Sequence, residues 1–278
     1  MALDQEREMG FLEHLEELRW HLIRSFIAIG VFTIAAFVSK EFVFGQLILG
    51  PTRLDFWTYA KICELGSLLG KPEVLCIEEL PFIIQSRKVT GQFTMHLSSS
   101  FVVGFIASFP YVFWEIWRFV SPGLLRNERR AASGAVFFVT MLFMSGVLFG
   151  YYMVGPLSIN FLSNYTVDPS IQNEWDITSY VSTLSTIVLT CGIMFQLPMA
   201  IYWMAKAGLV TSAFLKNYWR HAFILILVIS AILTPPDLVS QVLVAFPLYF
   251  LYYLSIKIAA GVERRKRKRA MAEMQKVS

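Results

Sequence analysis

Four long, mostly apolar runs, at about residues 22–39, 93–117, 134–155 and 178–205, constrain this chain of 278 residues more than any other feature. Each has the roughly 17 to 25 residues that a helix needs to cross a hydrocarbon core about 30 Å thick. In lipid the backbone must satisfy its own hydrogen bonds, which leaves only helices or closed barrels. The runs do not alternate as barrel strands would, so they are expected as helices. Two further apolar stretches, about 221–234 and 238–256, are split by Thr234-Pro235-Pro236-Asp237. Proline has no amide to donate and restricts the residue before it, so this sequence breaks a helix. At 1.5 Å per residue the fifth stretch is only about 21 Å long, short of the hydrocarbon core. The composition agrees: 56% of residues are hydrophobic and 16% charged, against about 25% charged in soluble domains. A soluble enzyme is excluded. The expected fold class is an all-α polytopic membrane protein with six transmembrane helices, the last two short.

Six spans put both termini on one side, and Lys/Arg content decides which side that is. Arg7, Arg19 and Arg24 precede or enter the first span, and Arg118, Arg126, Arg129 and Arg130 follow the second. Lys206, Lys216 and Arg220 follow the fourth, and Lys257 with the run Arg264–Arg269 follows the sixth. The opposite segments differ: 156–177 carries Asp168, Glu174 and Asp176 with no Lys or Arg, and 45–91 balances its charges. Both termini are therefore expected in the cytoplasm. Residues 1–261 read as one membrane domain and 262–278 as a basic cytoplasmic tail. The first twenty residues are acidic and helical in pattern, unlike a cleavable signal peptide, so the first span reads as an uncleaved anchor. No internal repeat stands out, which weakens a repeat-built transporter.

Residues 9–22 place Phe11, Leu15, Leu18 and Leu22 on one helical stripe, with Glu13, Glu17 and Trp20 on the other face beside Glu16. One explanation is a solvated face with negative charge favoured near a helix N-terminus. The other is a cationic ligand, because carboxylates are out of place beside an anionic leaflet. Glu128, in the loop after the second span, has a similar choice between a role of its own and an ion pair with Arg126 or Arg129. Cys63 and Cys76 share the long first outer loop, where an oxidising compartment permits a disulfide. Closing that loop adds about 3 kcal/mol in the chain-entropy model. Cys191 lies in the fourth span and reads as a small buried apolar residue. The histidines, His14, His21, His96 and His221, do not cluster at ligand spacing, so no metal is expected. Ser98, Ser99 and Ser100 have no base at matched depth and read as packing or back-bonding serines. The run Arg264–Arg269 directly follows a span, with no aromatic platform beside it. It reads as a topology anchor on anionic membrane lipid, with no nucleic acid as partner.

Several segments taken together resemble a known family. FLEHLEELRWHL, Phe11 to Leu22, resembles the N-terminal HLxELRxRL motif of the TatC family, the signal-peptide receptor of the twin-arginine protein translocase. The resemblance continues at WRFVSPGLLRNERR (Trp117 to Arg130), FQLPMA (Phe195 to Ala200) and LTPPDLVSQ (Leu233 to Gln241), followed by Ala245-Phe246-Pro247. It implies a signal-peptide-binding site in which the motif's histidine falls on His14 and its glutamate on Glu17. The glutamate of the first cytoplasmic loop falls on Glu128, and the loop phenylalanine and proline on Phe119 and Pro122. The proline after the first span falls on Pro51, and the acid and amide of the fifth-to-sixth turn on Asp237 and Gln241. The chemistry is reasonable, since carboxylates accept the forked hydrogen bonds of guanidinium and lysine offers no such fork. Two departures stand out. This chain has Gln196 where the family often has a glutamate in the fourth span, leaving either an interhelical packing amide or one that hydrogen-bonds across helices or to water. The first outer loop is also longer and more charged than expected of the family.

The resemblance implies a multi-pass protein of the bacterial cytoplasmic (inner) membrane that binds twin-arginine preproteins on its cytoplasmic face. It would nucleate a translocase with TatA- and TatB-type single-span subunits and other copies of itself, exporting folded proteins on the proton-motive force. No enzymatic activity and no cofactor are expected. A small-solute transporter is the rival from another class, and it requires ionisable residues at mid-depth; only Gln196 and serines are found there. An intramembrane hydrolase lacks a paired acid or base.

Overall fold

Several helices begin or end at proline or glycine, at Gly91, Gly155-Pro156, Pro198 and Gly208, in the computed structural model of the chain. The structure describes residues 11–68, 70, 76–77, 79–121, 126–168, 170–233 and 238–277. The side chains of 11–14, 126–133, 233, 238–240, 269–270, 272–273 and 276–277 lie outside that description. In chain order the main elements are α1 (Phe11–Val38), α2 (Trp57–Leu68), β1 (Phe82–Gln85), α3 (Gly91–Val120), α4 (Arg126–Phe149) and α5 (Gly155–Asn164). They continue with β2 (Asn173–Asp176), α6 (Ile177–Met194), α7 (Leu197–Ala207), α8 (Ser212–Asn217), α9 (Trp219–Leu233) and α10 (Leu238–Val277).

Among the described residues five helical stretches are long and apolar enough to cross a membrane: Leu15–Val38, Gly91–Val120, Gly134–Asn164, Ile177–Ala207 and Gln241–Lys268. Trp219–Ile232 is a shorter one. The fifth apolar stretch is short, as expected, but the sixth is not. α10 runs 40 residues, because nothing after residue 256 breaks a helix: Lys and Arg are good helix formers, and a change from apolar to basic residues alters the solvent a helix prefers, not its backbone. The end of the apolar run is therefore not the end of the helix. The third span is also longer than the run that announced it, continuing through a π-turn at Gly150–Val154 into α5.

The chain packs as two compact units, one of Met1–Val43 and His96–Met141, the other of Phe44–Met95 and Leu142–Ser278. In the first, α1 and α3 run antiparallel. Ser100, Gly104 and Ser108, spaced four residues apart, form a buried stripe of small residues on α3. A Cβ on Gly104 would stand 2.5 Å from Thr33 Oγ1 and 2.6 Å from the Thr33 amide nitrogen. Only glycine fits there, which is how helices approach closely without water to drive them together. Nearer the end of α1, the Nε2–H of His96 donates to the Phe37 carbonyl at 3.0 Å, and the two rings stack. Phe26, Ile27, Val31, Ile34 and Val38 stay exposed, as lipid-facing positions should.

In the second unit the same device recurs. Gly146 and Gly150, again four residues apart, lie against α6: a Cβ on Gly146 would stand 2.6 Å from the Cys191 carbonyl and 2.9 Å from Gly192 Cα. The fourth span is two helices, α6 and α7, parted at Phe195-Gln196 because Pro198 at the start of α7 has no N–H to continue the ladder. α7 packs on α10 around Ile201, Ala205, Val244, Leu248, Leu251 and Tyr252. The segments between the spans are tied by tyrosine hydroxyls donating to backbone: Tyr59 to the carbonyls of Pro51 (2.9 Å) and Pro156 (3.1 Å), and Tyr180 to Ile48 (2.6 Å). Burial pushes the Tyr59 hydroxyl pKa well up. Cys63 and Cys76 are disulfide-bonded, with 4.3 Å between their Cα atoms, and Cys191 is a buried free thiol.

Two short strands, for which the sequence reading had no place, make a parallel ladder in the same unit, with Phe82 opposite Asn173 and Gln85 opposite Asp176. Four-residue strands of ordinary composition carry no periodic signal. They are held by Phe82 stacked on Trp175 and by the Arg87–Glu174 ion pair at 2.9 Å. Asp176 then caps α6, accepting from the amide and hydroxyl of Thr178, with the Arg87 amide also donating to it. Those donors, Thr178 first, hold its carboxyl below the usual carboxylate range.

Candidate functional site

One line of polar residues on α1 is turned inward. Leu15 and Leu22 are exposed, while Glu17 is half-buried and His21 and Ser25 are buried. Where the surroundings are lipid, apolar side chains lose nothing by facing out and polar ones gain partners by facing in. Residues 17, 21 and 25 repeat every four positions and so share one face of the helix.

Their partners come from the last turns of α3. The Nδ1–H of His21 donates to Glu115 Oε2 at 2.5 Å, and Glu115 is only 1% exposed. Two guanidiniums approach the same carboxylate, Arg118 Nη1 at 3.6 Å from Oε1 and Arg24 Nη1 at 3.9 Å from Oε2, both about half exposed. Tyr111, one turn back on α3, adds its hydroxyl. The carboxylate is thus surrounded by donors, as a buried acid must be. Phe119 lies one turn further on, its ring centroid 6.1 Å from that of His21.

Among the described residues Glu17 has no ion-pair partner. It follows His21 by one turn toward the start of α1, as Phe119 follows Glu115 by one turn toward the end of α3, so in the antiparallel pair the two come level. Glu128 lies in the first turn of α4, in the same unit, but its side chain is outside the described residues, as is that of His14 in α1. Pro122 and Asp237 lie outside the described residues altogether. The remaining candidates belong to the second unit. Pro51 is buried, its carbonyl accepting from Tyr59. Gln196 sits at the break between α6 and α7. The Gln241 side-chain amide donates to the Leu227 carbonyl at 3.3 Å, joining α10 to α9. Among the described residues no group of His, Cys, Asp and Glu is arranged to hold a metal ion.

Glu115 is not among the candidates that the sequence offers, and His21 has no partner there. The signal was present in the spacing: Ser100, Gly104, Ser108 and Glu115 follow one face of a helix, a polar stripe inside an otherwise apolar run. His21 also departs from the HLxELRxRL pattern, which has arginine at that position.

A family model described as Sec-independent protein translocase protein (TatC) matches residues 13–247. The chain belongs to the TatC family. It is 37% identical over 264 residues to the Sec-independent protein translocase protein TatC of Blattabacterium sp. subsp. Periplaneta americana (strain BPLAN), covering 95% of this chain and 99% of that one. It is 34% identical over 263 residues to the TatC of Desulforapulum autotrophicum, covering 95% and 88%. A crystal structure described as the twin-arginine translocase receptor TatC superposes with a TM-score of 0.67 at 30% identity, covering 89% of this chain and 99% of that one. As a TatC protein it is a multi-pass, all-helical membrane protein and the receptor component of the twin-arginine translocase, a transport component rather than an enzyme.

Proposed function

We propose that the cytoplasmic ends of α1 and α3, with the loop between α3 and α4, form the binding site for the paired arginines of a twin-arginine signal peptide. Glu17 and Glu128 accept the two guanidiniums, and Phe119, Pro122 and His14 shape the surface around them. The observation that carries this reading is Glu17: a half-buried carboxylate with no ion-pair partner among the described residues, on the same face of α1 as His21 and one turn from it, the His21 ring lying 6.1 Å from that of Phe119. A carboxylate left unpaired beside an anionic leaflet is costly unless a cation is to arrive. Forked guanidinium bonds to carboxylates favour arginine over lysine.

Around this site the reading places six spans with both termini in the cytoplasm of a bacterial cell, residues 1–261 acting as the membrane domain and 262–278 as a basic extension of it. Arg264 to Arg269, on the continuous helix α10, meet anionic lipid there. Gln196, Asp237, Gln241 and Pro51 serve the second unit as polar or structural positions for assembly. Partners are twin-arginine preproteins, TatA- and TatB-type single-span subunits and other copies of this chain, which together export folded proteins on the proton-motive force. The test is crosslinking of a photo-reactive twin-arginine peptide to the protein in membranes, with a twin-lysine peptide as reference. Labelling is expected at residues around Glu17, Phe119 and Glu128. Equal labelling by the twin-lysine peptide, or labels confined to the second unit, would sink the assignment.

A further inference from the structure

The contact between α1 and α3 has an ambiguity built into it. Ser100, Gly104 and Ser108 recur every four residues, so sliding α3 by one turn, about 5.4 Å, brings another small residue to the close approach. A small-residue stripe brings helices together but fixes their register poorly. Buried polar pairs remove such ambiguity, as a single buried asparagine does for coiled coils. Such a side-chain pair lies at the end nearest Glu17, His21 on Glu115 at 2.5 Å, with both residues at most one-tenth exposed. A further polar contact, His96 with the Phe37 carbonyl, lies at the far end of the two helices.

We infer that His21 and Glu115 are positioning residues, whose buried bond sets the register of α1 against α3 and so holds the Glu17 carboxylate level with Phe119. This rests on the reading of Glu17 and Phe119 as part of the peptide site. Three features of the pair fit the role. A slip of one turn in either direction takes the His21 nitrogen out of reach of Glu115 and strands a buried carboxylate. The imidazole also lies against Phe119, its ring 6.1 Å away, so one side chain meets both the register bond and the aromatic residue of the site. The neighbouring charges do not replace it. Arg24 and Arg118 stand at 3.9 and 3.6 Å and are half exposed on flexible stems, and Arg118 belongs to α3 itself. They compensate the carboxylate without tying one helix to the other at a single length.

The experiment combines two measurements on the full chain in membranes. Spin labels on Leu15→Cys and Val120→Cys, both exposed, report the register of α1 against α3 by their distance. Crosslinking of the photo-reactive twin-arginine peptide reports recognition. In Glu115→Gln the amide oxygen still accepts from His21, so the distance should stay single and crosslinking within threefold of the parent. In Glu115→Leu a second distance, displaced by about 5 Å, should appear and crosslinking should fall tenfold or more. His21→Phe keeps the ring beside Phe119, removes the donor and leaves Glu115 its two guanidiniums. It should behave like Glu115→Leu, and it decides the matter if Glu115→Leu does not accumulate. Loss of crosslinking at an unchanged distance would mean that Glu115 touches the peptide itself, and a changed distance with normal crosslinking would mean that register is irrelevant to recognition. Unchanged values of both would remove the register role. Each of these overturns the inference. Failure of the parent to prefer the twin-arginine peptide is a separate result: it removes the peptide-site reading, and the recognition role of the pair with it, whatever the distances report.

Discussion

A carboxylate at a membrane surface is informative because its neighbours should be cations, and at the residue scale the two proposed acids can be separated by what replaces them. Glu128→Gln loses charge but keeps an acceptor, whereas Glu128→Lys adds repulsion against incoming arginines beside Arg126, Arg129 and Arg130. The lysine variant is therefore expected to bind a twin-arginine peptide more weakly than the glutamine variant. Removal of one charge-assisted bond costs about 1.5–3 kcal/mol, roughly a tenfold to hundredfold loss in affinity, read by peptide crosslinking at matched protein levels. Glu17→Lys should behave alike. In the second unit, Asp176 makes a pH prediction. Its folded carboxyl is held low by Thr178 and the Arg87 amide, so its contribution is complete above the ordinary carboxylate range and is lost as pH falls through the lower, folded value. Thermal unfolding followed as the medium is acidified below that range should show a smaller loss in Asp176→Asn than in the parent. Glu17 stands out as a candidate in the sequence, since it lies in a helical pattern with a charge that its surroundings do not favour. The buried pair was only half legible: Ser100, Gly104, Ser108 and Glu115 mark one face of α3, but the partner His21 is far along the chain, where no local pattern couples them.

At the scale of elements, helix existence was legible and helix packing was only half so. Hydropathy locates the spans because the backbone in lipid has so few choices. Which face packs depends on small residues, whose meaning appears only with the neighbour in place. Gly104 and Gly146 meet backbone atoms closer than 3 Å where a Cβ would be, whereas nothing lies within 4 Å at Gly30. Gly104→Ala and Gly146→Ala should each destabilise the protein by about 1–3 kcal/mol, the range for overfilling a packed contact. Gly30→Ala should be neutral or slightly stabilising, since alanine is favoured over glycine in a helix. Thermal melts of the three variants in one detergent check this, and equal melting temperatures would remove the close-approach explanation. The length of α10 and the small parallel ladder were not legible for opposite reasons: basic residues continue a helix that hydropathy has stopped counting, and four-residue strands are too short to have a period.

For the whole molecule the deciding quantity is the distribution of Lys and Arg, because translocation across the bilayer discriminates against those two residues and scarcely against acids. With α9 short and α10 long, the number of crossings is where the proposed topology is most exposed to test: if α9 failed to cross, the two ends of the chain would lie on opposite sides. Single-cysteine labelling resolves this, since the native thiols are silent; Cys63 and Cys76 are bonded to each other and Cys191 is buried. Val89→Cys and Ser170→Cys occupy exposed positions in the two outer segments, and Gln275→Cys an exposed position near the end of α10. In sealed cells an impermeant maleimide should label the first two and leave the third unmodified until the membrane is opened. Labelling of Gln275→Cys from outside would place the basic run Arg264–Arg269 on the wrong side of the positive-inside rule and turn α9 into a buried or re-entrant helix. The proposed peptide site draws only on the first unit, at the ends of α1 and α3, so it would survive that result, whereas the six-span count would not.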